Sequence, residues 1–161
     1  MWVRRGEFAT LYRTERGRID RQAWVRGAVP LAALLALLTL GWSALAPFAS
    51  RGPGERAFFD PLAIAANLYL VLYTFAAVLI AVSWVNLSAK RFRDRGRPSP
   101  VGLAGLFPLL ALLAGSIHWL RPRAADIVPV WLVFAGDALA LAALAWTVAE
   151  CLDLLAVARE T

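Results

Sequence analysis

Four long stretches of apolar residues constrain the fold of this chain more than any other feature of its sequence. They cover residues 28–48, 62–87, 101–120 and 127–149, and Asp137 is the one Asp, Glu, Lys or Arg residue within them. A helix needs about 20 apolar residues to cross the hydrocarbon core of a bilayer, where the backbone must satisfy its own hydrogen bonds. With 161 residues, 60% of them hydrophobic, the chain is predicted to be an all-α membrane protein, a four-transmembrane-helix bundle.

The starts of the helices carry capping signals that are independent of hydropathy. Asp60 and Ser99 each stand directly before a proline. This order is typical of a helix N-cap followed by its first helical residue, because proline has no amide hydrogen to leave unsatisfied. Asp20 is the expected cap of a helix that begins before the first apolar stretch, and Asp126 is the expected cap of the fourth helix.

The distribution of Lys and Arg predicts the orientation of the chain. Seven of the 17 basic residues precede the first stretch, five lie between residues 88 and 100, and Arg159 lies in the C-terminal tail. The other two loops hold two each. Cytoplasmic loops of membrane proteins are enriched in Lys and Arg. Both termini are therefore predicted to be cytoplasmic, and the basic residues flanking apolar stretches favour anionic lipid over nucleic acid as a partner.

The aromatic residues agree with this orientation. Tryptophan prefers the headgroup level, and six tryptophans fall near predicted helix ends. On the cytoplasmic side they are Trp24, Trp84 and Trp146, and on the other side they are Trp42, Trp119 and Trp131. Residues 1–27 interleave Trp2, Phe8, Leu11 and Tyr12 with arginines. Residues 1–27 are predicted to be an amphipathic interfacial segment, with a disordered basic tail as the alternative. Residues 28–155 form the transmembrane domain, and residues 156–161 form a cytoplasmic tail.

Small and polar residues predict the faces on which the helices pack, because helices in lipid associate through close contact and polar bonds. One face of the second stretch carries, at spacings of four, three, four, three, four and seven, Ala63, Asn67, Leu70, Thr74, Ala77, Ala81 and Ser88. The fourth stretch does the same with Gly136, Ala140, Ala143, Thr147 and Glu150, and the third opens with Gly102 and Gly105. Pro108 predicts a kink in the third helix.

Arginines gather at the predicted cytoplasmic ends of the helices. A candidate site for anionic lipid headgroups comprises Arg18, Arg21, Trp24, Arg91, Arg93, Asp94 and Arg97. Guanidinium groups bind phosphate through two N–H groups at once. Two other interpretations stay open. In one, the arginines only fix the orientation of the chain; in the other, Asp94, Glu150 and Asp153 pair with them and clamp the ends of the bundle.

These motifs resemble a family of small bacterial inner-membrane proteins, the domain of unknown function 805 family. Its members look alike in two places. Gly-Arg-Ile-x-Arg and an aromatic residue precede the first span, and a turn like Arg-Arg-Leu-His-Asp-x-Gly-Arg-Ser leads into a later span that contains a proline. The matching residues here are Gly17, Arg18, Ile19, Arg21, Trp24, Arg91, Asp94, Gly96, Arg97 and Pro108. Lys90, Phe92 and Arg93 depart from the turn, and Pro98, Ser99 and Pro100 replace its usual continuation. The resemblance implies location in a bacterial inner membrane and no established activity.

Asp137 is the second candidate site. About ten residues into the fourth stretch, it is expected near the bilayer centre, where an ionised carboxylate is costly unless it is paired or faces water. Tyr73 and Thr74 are its expected neighbours at a similar depth, and Asn67 is expected nearer the outside. A neutral Asp137 bonded to such groups is the simplest state. Its role is then an interhelical hydrogen bond, a proton-coupled function or contact with a partner subunit.

Catalytic motifs are absent from the sequence. Cys151 and His118 are single residues of their types, and both are expected to be packing or interfacial residues, with no metal site or cofactor. No nucleophile–base pair or phosphate-binding glycine loop is present. We therefore expect a non-enzymatic accessory or scaffolding protein that binds anionic lipid and a larger membrane complex or further copies of itself. The alternative is a small proton-coupled or solute transporter that uses Asp137.

Overall fold

A computed structural model describes four parts of the chain: residues 11–14, 16–49, 60–121 and 127–155. These parts contain four long helices and no strand. The helices are α1 (Arg21–Ala49), α2 (Pro61–Asp94), α3 (Pro100–Leu120) and α4 (Val130–Cys151). Each is long and apolar enough to cross a membrane, and the predicted all-helical, four-helix architecture is confirmed. Trp2, Phe8, Asp126 and the tail from residue 156 lie outside the described residues.

Two of the predicted helix caps are confirmed. The Asp20 carboxylate accepts a hydrogen bond from the Ala23 amide at 2.7 Å. The Asp60 carboxylate accepts from the amides of Leu62 at 3.0 Å and Ala63 at 3.3 Å. Both carboxylates thus satisfy amides of the first helical turn that have no partner within the helix.

The hydroxyl of Ser99 does not cap α3, which corrects the prediction. Ser99 has a φ of 49° and makes no side-chain cap hydrogen bond, although its carbonyl accepts from the Leu103 amide at 3.1 Å. A capping side chain reaches the first-turn amides from an extended backbone, and the left-handed conformation of Ser99 does not supply that geometry. Helix α4 begins at Val130 after Pro129, three residues later than predicted.

The C-terminal ends of α2 and α4 have the same backbone turn. Gly96 has a φ of 66° after α2, and the Arg97 amide donates to the Phe92 carbonyl at 2.9 Å. Asp153 has a φ of 62° after α4, and the Leu154 amide donates to the Ala149 carbonyl at 2.9 Å. Both are Schellman motifs, which satisfy the last helical carbonyls. Aspartate is one of the few residues other than glycine that visit this conformation routinely.

Consecutive helices are antiparallel and are one another's main neighbours. Helix α1 packs against α2, α2 against α3 and α3 against α4, while α2 and α4 contact each other less extensively. We call the end formed by the start of α1 and the ends of α2 and α4 the basic end. The opposite end, where α1 and α3 finish, is the far end.

The core of the bundle lies at the basic end. Its buried members are Trp24, Ala28, Trp84, Leu87, Ala89, Phe92, Ala104 and Cys151. Trp84 meets Trp24 and Phe107 edge to face, with ring centroids 5.7 Å apart in each pair. Trp24 and Trp84, which were predicted at the headgroup level, are both buried within this core. Leu11 and Ile19, which precede α1, pack against the same core.

The predicted packing face of α4 is confirmed. Gly136, Ala140, Ala143, Thr147 and Glu150 are all buried. At Gly136 the backbone of α4 comes so close to α3 that an added Cβ would lie 3.3 Å from Ile117 Cδ1 and 3.6 Å from Ala114 Cα. Small residues therefore set the spacing of α3 and α4, as expected for helices that associate without water exclusion.

The predicted face of α2 is confirmed at Ala63 and Ser88 but wrong at Asn67 and Thr74, and that of α3 is wrong at Gly102. Asn67 and Thr74 are exposed, and the buried face of α2 follows Ala63, Ala66, Ile80, Trp84 and Leu87 instead. The Asn67 amide donates to the Ala63 carbonyl at 2.7 Å and the Thr74 hydroxyl to the Leu70 carbonyl at 2.8 Å. Because each is satisfied within its own helix, neither needs a partner on a neighbour. In α3 the buried residues are Ala104, Pro108 and Ala114, and Gly102 is exposed.

Candidate functional site

The arginine–carboxylate cluster joins the ends of α2 and α4 through six charged side chains: Arg91, Asp94, Arg95, Arg97, Glu150 and Asp153. Arg91 Nη1 lies 2.5 Å from Asp94 Oδ2, and its Nη2 lies 2.6 Å from Asp153 Oδ2. Arg91 Nε donates to the Cys151 carbonyl at 3.1 Å. One guanidinium thus connects its own helix to the last turn of α4.

Glu150 binds the other two arginines of the cluster. Arg97 Nη2 lies 2.6 Å from Glu150 Oε1, and Arg97 Nε donates to Oε2 at 3.3 Å. Arg95 Nη1 lies 3.2 Å from Glu150 Oε2 and 3.3 Å from Asp153 Oδ1, and it also donates to the Glu150 carbonyl. The Glu150 carboxylate is therefore held by two arginines in a site that is almost closed to solvent.

The cluster balances its own charge, with three arginines against three carboxylates. The side chains of Arg91 and Glu150 are 7% and 4% exposed, so neither presents its charge at the surface. Buried charges of this kind must be paired and hydrogen-bonded to be tolerated. The interpretation in which Asp94, Glu150 and Asp153 pair with the arginines and clamp the ends of the helices is confirmed.

The remaining residues of the predicted lipid site have separate positions. Trp24 is buried, and its indole Nε1 donates to the Ser88 hydroxyl at 3.2 Å. Arg93 Nη1 donates to the Gly17 carbonyl at 3.2 Å. Arg18 and Arg21 are exposed. Of the seven predicted residues, three thus belong to the cluster and Trp24 to the core, Arg93 bonds the lead, and Arg18 and Arg21 are exposed.

Residues 11–14 and 16–20, which we call the lead, fold back over the basic end and are fixed there by side chains of α2. Asn86 Nδ2 donates to the Tyr12 carbonyl at 2.8 Å, and Lys90 Nζ donates to the Leu11 carbonyl at 2.9 Å. The Tyr12 hydroxyl donates to the Gly27 carbonyl of α1 at 3.1 Å. Burial raises the pKa of the Tyr12 phenol, so this hydroxyl keeps its proton across the physiological range.

A cavity of about 250 Å³ opens between the lead and the end of α2. We call it the basic pocket, and its lining residues are Leu11, Arg16, Gly17, Arg18, Ile19 and Lys90. Sequence reasoning selected Arg18 but missed Arg16 and Lys90 as its neighbours. Lys90 lies more than 70 positions from the lead, and hydropathy carries no signal that would bring them together.

Asp137 pairs with His118, which corrects its predicted partners. His118 Nε2 lies 3.0 Å from both Asp137 carboxylate oxygens, and the two side chains are 56% and 41% exposed. The predicted neighbour Tyr73 instead meets α1, where its hydroxyl is 3.2 Å from Thr39 Oγ1. Asp137 is also the eighth of the 22 residues of α4, so it lies nearer the far end than predicted.

The pairing of His118 with Asp137 follows from the antiparallel packing of α3 and α4, because both residues flank the same connection. The position of the two residues on either side of one connection was therefore a signal in the sequence for their pairing.

Thr74 lies instead on a shallow apolar groove of about 500 Å³ along α2, lined by Leu70, Val71, Phe75 and Val78. Asp137, Asn67 and Thr74 therefore do not form one site.

No group of three or more His, Cys, Asp or Glu side chains in the described parts of the chain is placed to hold a metal ion. What the basic end offers is a neutral set of ion pairs that joins two helices and a cavity with basic and apolar walls. Such a cavity suits recognition of an anion with an apolar portion.

Comparison of the chain with models of known families, with curated proteins and with solved structures gives no match. The resemblance noted from the motifs thus stays a prediction.

Proposed function

We propose that this chain is a non-enzymatic membrane protein that acts as an accessory or scaffolding component and binds anionic lipid together with a larger membrane partner. The observation that supports it best is the division of its arginines. Those of the arginine–carboxylate cluster are neutralised within the bundle. Those of the lead and the start of α1 are exposed, namely Arg13, Arg16, Arg18, Arg21 and Arg26.

The proposed orientation places the basic end and both termini at the cytoplasmic face of a bacterial inner membrane. Exposed arginines at that end favour this side, because cytoplasmic leaflets are anionic and cytoplasmic loops are rich in Lys and Arg. The surface of the helices toward the far end supports insertion. Large apolar side chains such as Leu37, Val71 and Leu109 are 66–67% exposed there, as expected for residues that contact lipid tails or another membrane protein.

The partner proposal is supported by the His118–Asp137 pair. It lies half exposed on two apolar helices, and lipid tails solvate such polar groups poorly. A polar group of a neighbouring membrane protein, or of a second copy, would satisfy it better.

The same pair favours one alternative, a small proton-coupled or solute transporter that uses Asp137. Histidine and aspartate are common in proton relays of membrane proteins. Flux through the reconstituted protein should then depend on Asp137, and flux that Asp137→Asn leaves unchanged would remove the basis for this alternative.

The proposed function is tested by purifying the full chain in a mild detergent and recording native mass spectra. We expect retained anionic phospholipid, a membrane-protein partner or both. A bare monomer with neither would contradict the proposal.

A further inference from the structure

The basic pocket combines two kinds of wall. Arg16, Arg18 and Lys90 supply cationic groups, while Leu11 and Ile19 supply apolar surface. A polar anionic group attached to an apolar portion matches this lining.

We propose that the basic pocket is a binding site for a phosphate group, in particular the phosphate of an anionic phospholipid headgroup. This inference deepens the proposed function and rests on it. Guanidinium groups donate paired N–H bonds to phosphate oxygens, and the ammonium adds a compact positive charge. Leu11 and Ile19 then contact the apolar part of the same molecule.

The pocket is built by contacts that are remote in sequence. Lys90 is 3% exposed, and its ammonium holds the Leu11 carbonyl at one edge of the pocket. Arg93 holds the Gly17 carbonyl at another edge. Gly17 has a φ of 105°, a backbone conformation that residues with a Cβ rarely adopt. The lead is thus shaped so that Arg16 and Arg18 flank the cavity on either side of this glycine.

The position of the pocket along the bundle suits a lipid headgroup. Lys90 is four residues before α2 ends at Asp94, about 6 Å along the helix axis at 1.5 Å per residue. The lead extends from there over the basic end. In the proposed orientation this is the cytoplasmic headgroup level.

Local charge also favours an anion. Residues 11–26 contain five arginines against two carboxylates, Glu15 and Asp20. The Asp20 carboxylate is engaged as the cap of α1. The neighbouring arginine–carboxylate cluster contains equal numbers of positive and negative side chains. Its remaining affinity for an anion is therefore small.

The proposal is tested on the full chain in detergent, with lipid binding followed by native mass spectrometry. Phosphatidylglycerol, zwitterionic phosphatidylcholine and inorganic phosphate are titrated separately. The pocket variant combines Arg16→Gln with Arg18→Gln. The control variant combines Arg13→Gln with Arg26→Gln, which removes the same charge from exposed arginines that do not line the pocket. Unchanged circular dichroism shows that both variants fold.

We expect wild type and the control variant to prefer phosphatidylglycerol, and the pocket variant to bind it about tenfold more weakly or worse, as loss of charge-assisted hydrogen bonds implies. Inorganic phosphate that binds with the same dependence on Arg16 and Arg18 would support the site with free phosphate as its ligand. Phosphate that neither binds nor competes would support the lipid headgroup.

Three results would overturn the pocket. Equal weakening in the two variants would indicate dispersed surface charge, and unchanged binding in both would place the lipid elsewhere. Either result leaves the proposed function intact. If wild type shows no preference for phosphatidylglycerol and no phosphate binding, then both the pocket and the lipid-binding part of the proposed function fail.

Discussion

Asp153 connects backbone conformation to charge pairing at a single residue. Its left-handed backbone ends α4, and its carboxylate contacts both Arg91 and Arg95. Asp153→Asn keeps a side chain that tolerates this conformation but removes the charge. We expect a loss of about 1–2 kcal/mol of stability, since Asp153 is partly exposed while Arg91 is buried. Thermal unfolding in detergent measures it.

The control for this change is Asp153→Gly, which also removes the charge. Glycine has no Cβ, so it adopts the left-handed backbone conformation without steric cost. It should be destabilised less than Asp153→Asn. If Asp153→Asn is as stable as wild type, the ion pairs of Asp153 contribute nothing.

A second residue-scale prediction concerns the hydrogen bond between Trp24 and Ser88. Both residues are buried, so Ser88→Ala leaves the indole N–H without its acceptor and without access to water. The expected cost is about 1–3 kcal/mol, measured as a lower midpoint of thermal unfolding. Ser83→Ala is the control on the same helix, because Ser83 bonds only the Leu79 carbonyl of its own α2. Equal stability of the two variants would contradict the prediction.

Sequence patterns predict single residues well where the contact is local. Asp20 and Asp60 act on amides two or three positions away, and both caps were foreseeable. Ser99 shows the same local pattern, yet its left-handed backbone withdraws the hydroxyl. The pairing of His118 with Asp137 depends on the register of two antiparallel helices, and its one signal in the sequence is that both residues flank the same connection.

At the scale of helices, the approach of α3 and α4 at Gly136 gives a third prediction. Gly136→Leu places a side chain where Ile117 and Ala114 already lie within 3.3–3.7 Å of an added Cβ. Overpacking of this kind costs about 1–3 kcal/mol, which thermal unfolding in detergent reports. Gly105→Leu is the control, since a Cβ there meets no described atom within 4 Å. Leucine favours a helix more than glycine does, so an equal loss in both variants would mean that the close approach at Gly136 is not its cause.

The packing face was predictable for α4 but not for α2, and the difference is physical. In α4 the small residues are the positions where another helix approaches closely, as Gly136 shows. In α2 the face was inferred from Asn67 and Thr74, whose polar groups bond carbonyls of their own helix. An internally satisfied polar side chain carries no information about which side of an apolar helix meets a neighbour.

At the scale of the whole molecule, the proposed orientation predicts opposite accessibility of the two ends. In a Cys151→Ala background, Arg18→Cys at the basic end should react with a membrane-impermeant thiol reagent only from the cytoplasmic side. Arg121→Cys at the far end should react only from the other side. Both positions are exposed. Labelling of both from one side would refute the orientation, and a permeant reagent that labels both serves as the control.

The number of helices was predictable because hydropathy over about 20 residues decides it. The position of the lead was not, since it depends on bonds from Asn86, Lys90 and Arg93 to carbonyls more than 70 residues earlier. The basic pocket exists only because of these bonds. A sequence pattern could therefore identify Arg18 as a candidate without showing which residues surround it.

These long separations also govern the order in which a growing polypeptide can assemble. When the ribosome has completed α1, the lead has already been made but Asn86, Lys90 and Arg93 have not, so it must wait for α2 before it docks. Arg91 and Arg97 must wait longer, because Glu150 and Asp153 come at the close of the last helix. Translation that stops before residue 150 would leave Arg97 without Glu150 and Arg91 with Asp94 as its one partner from the cluster, and such a truncated product should be a preferred substrate for membrane proteolysis.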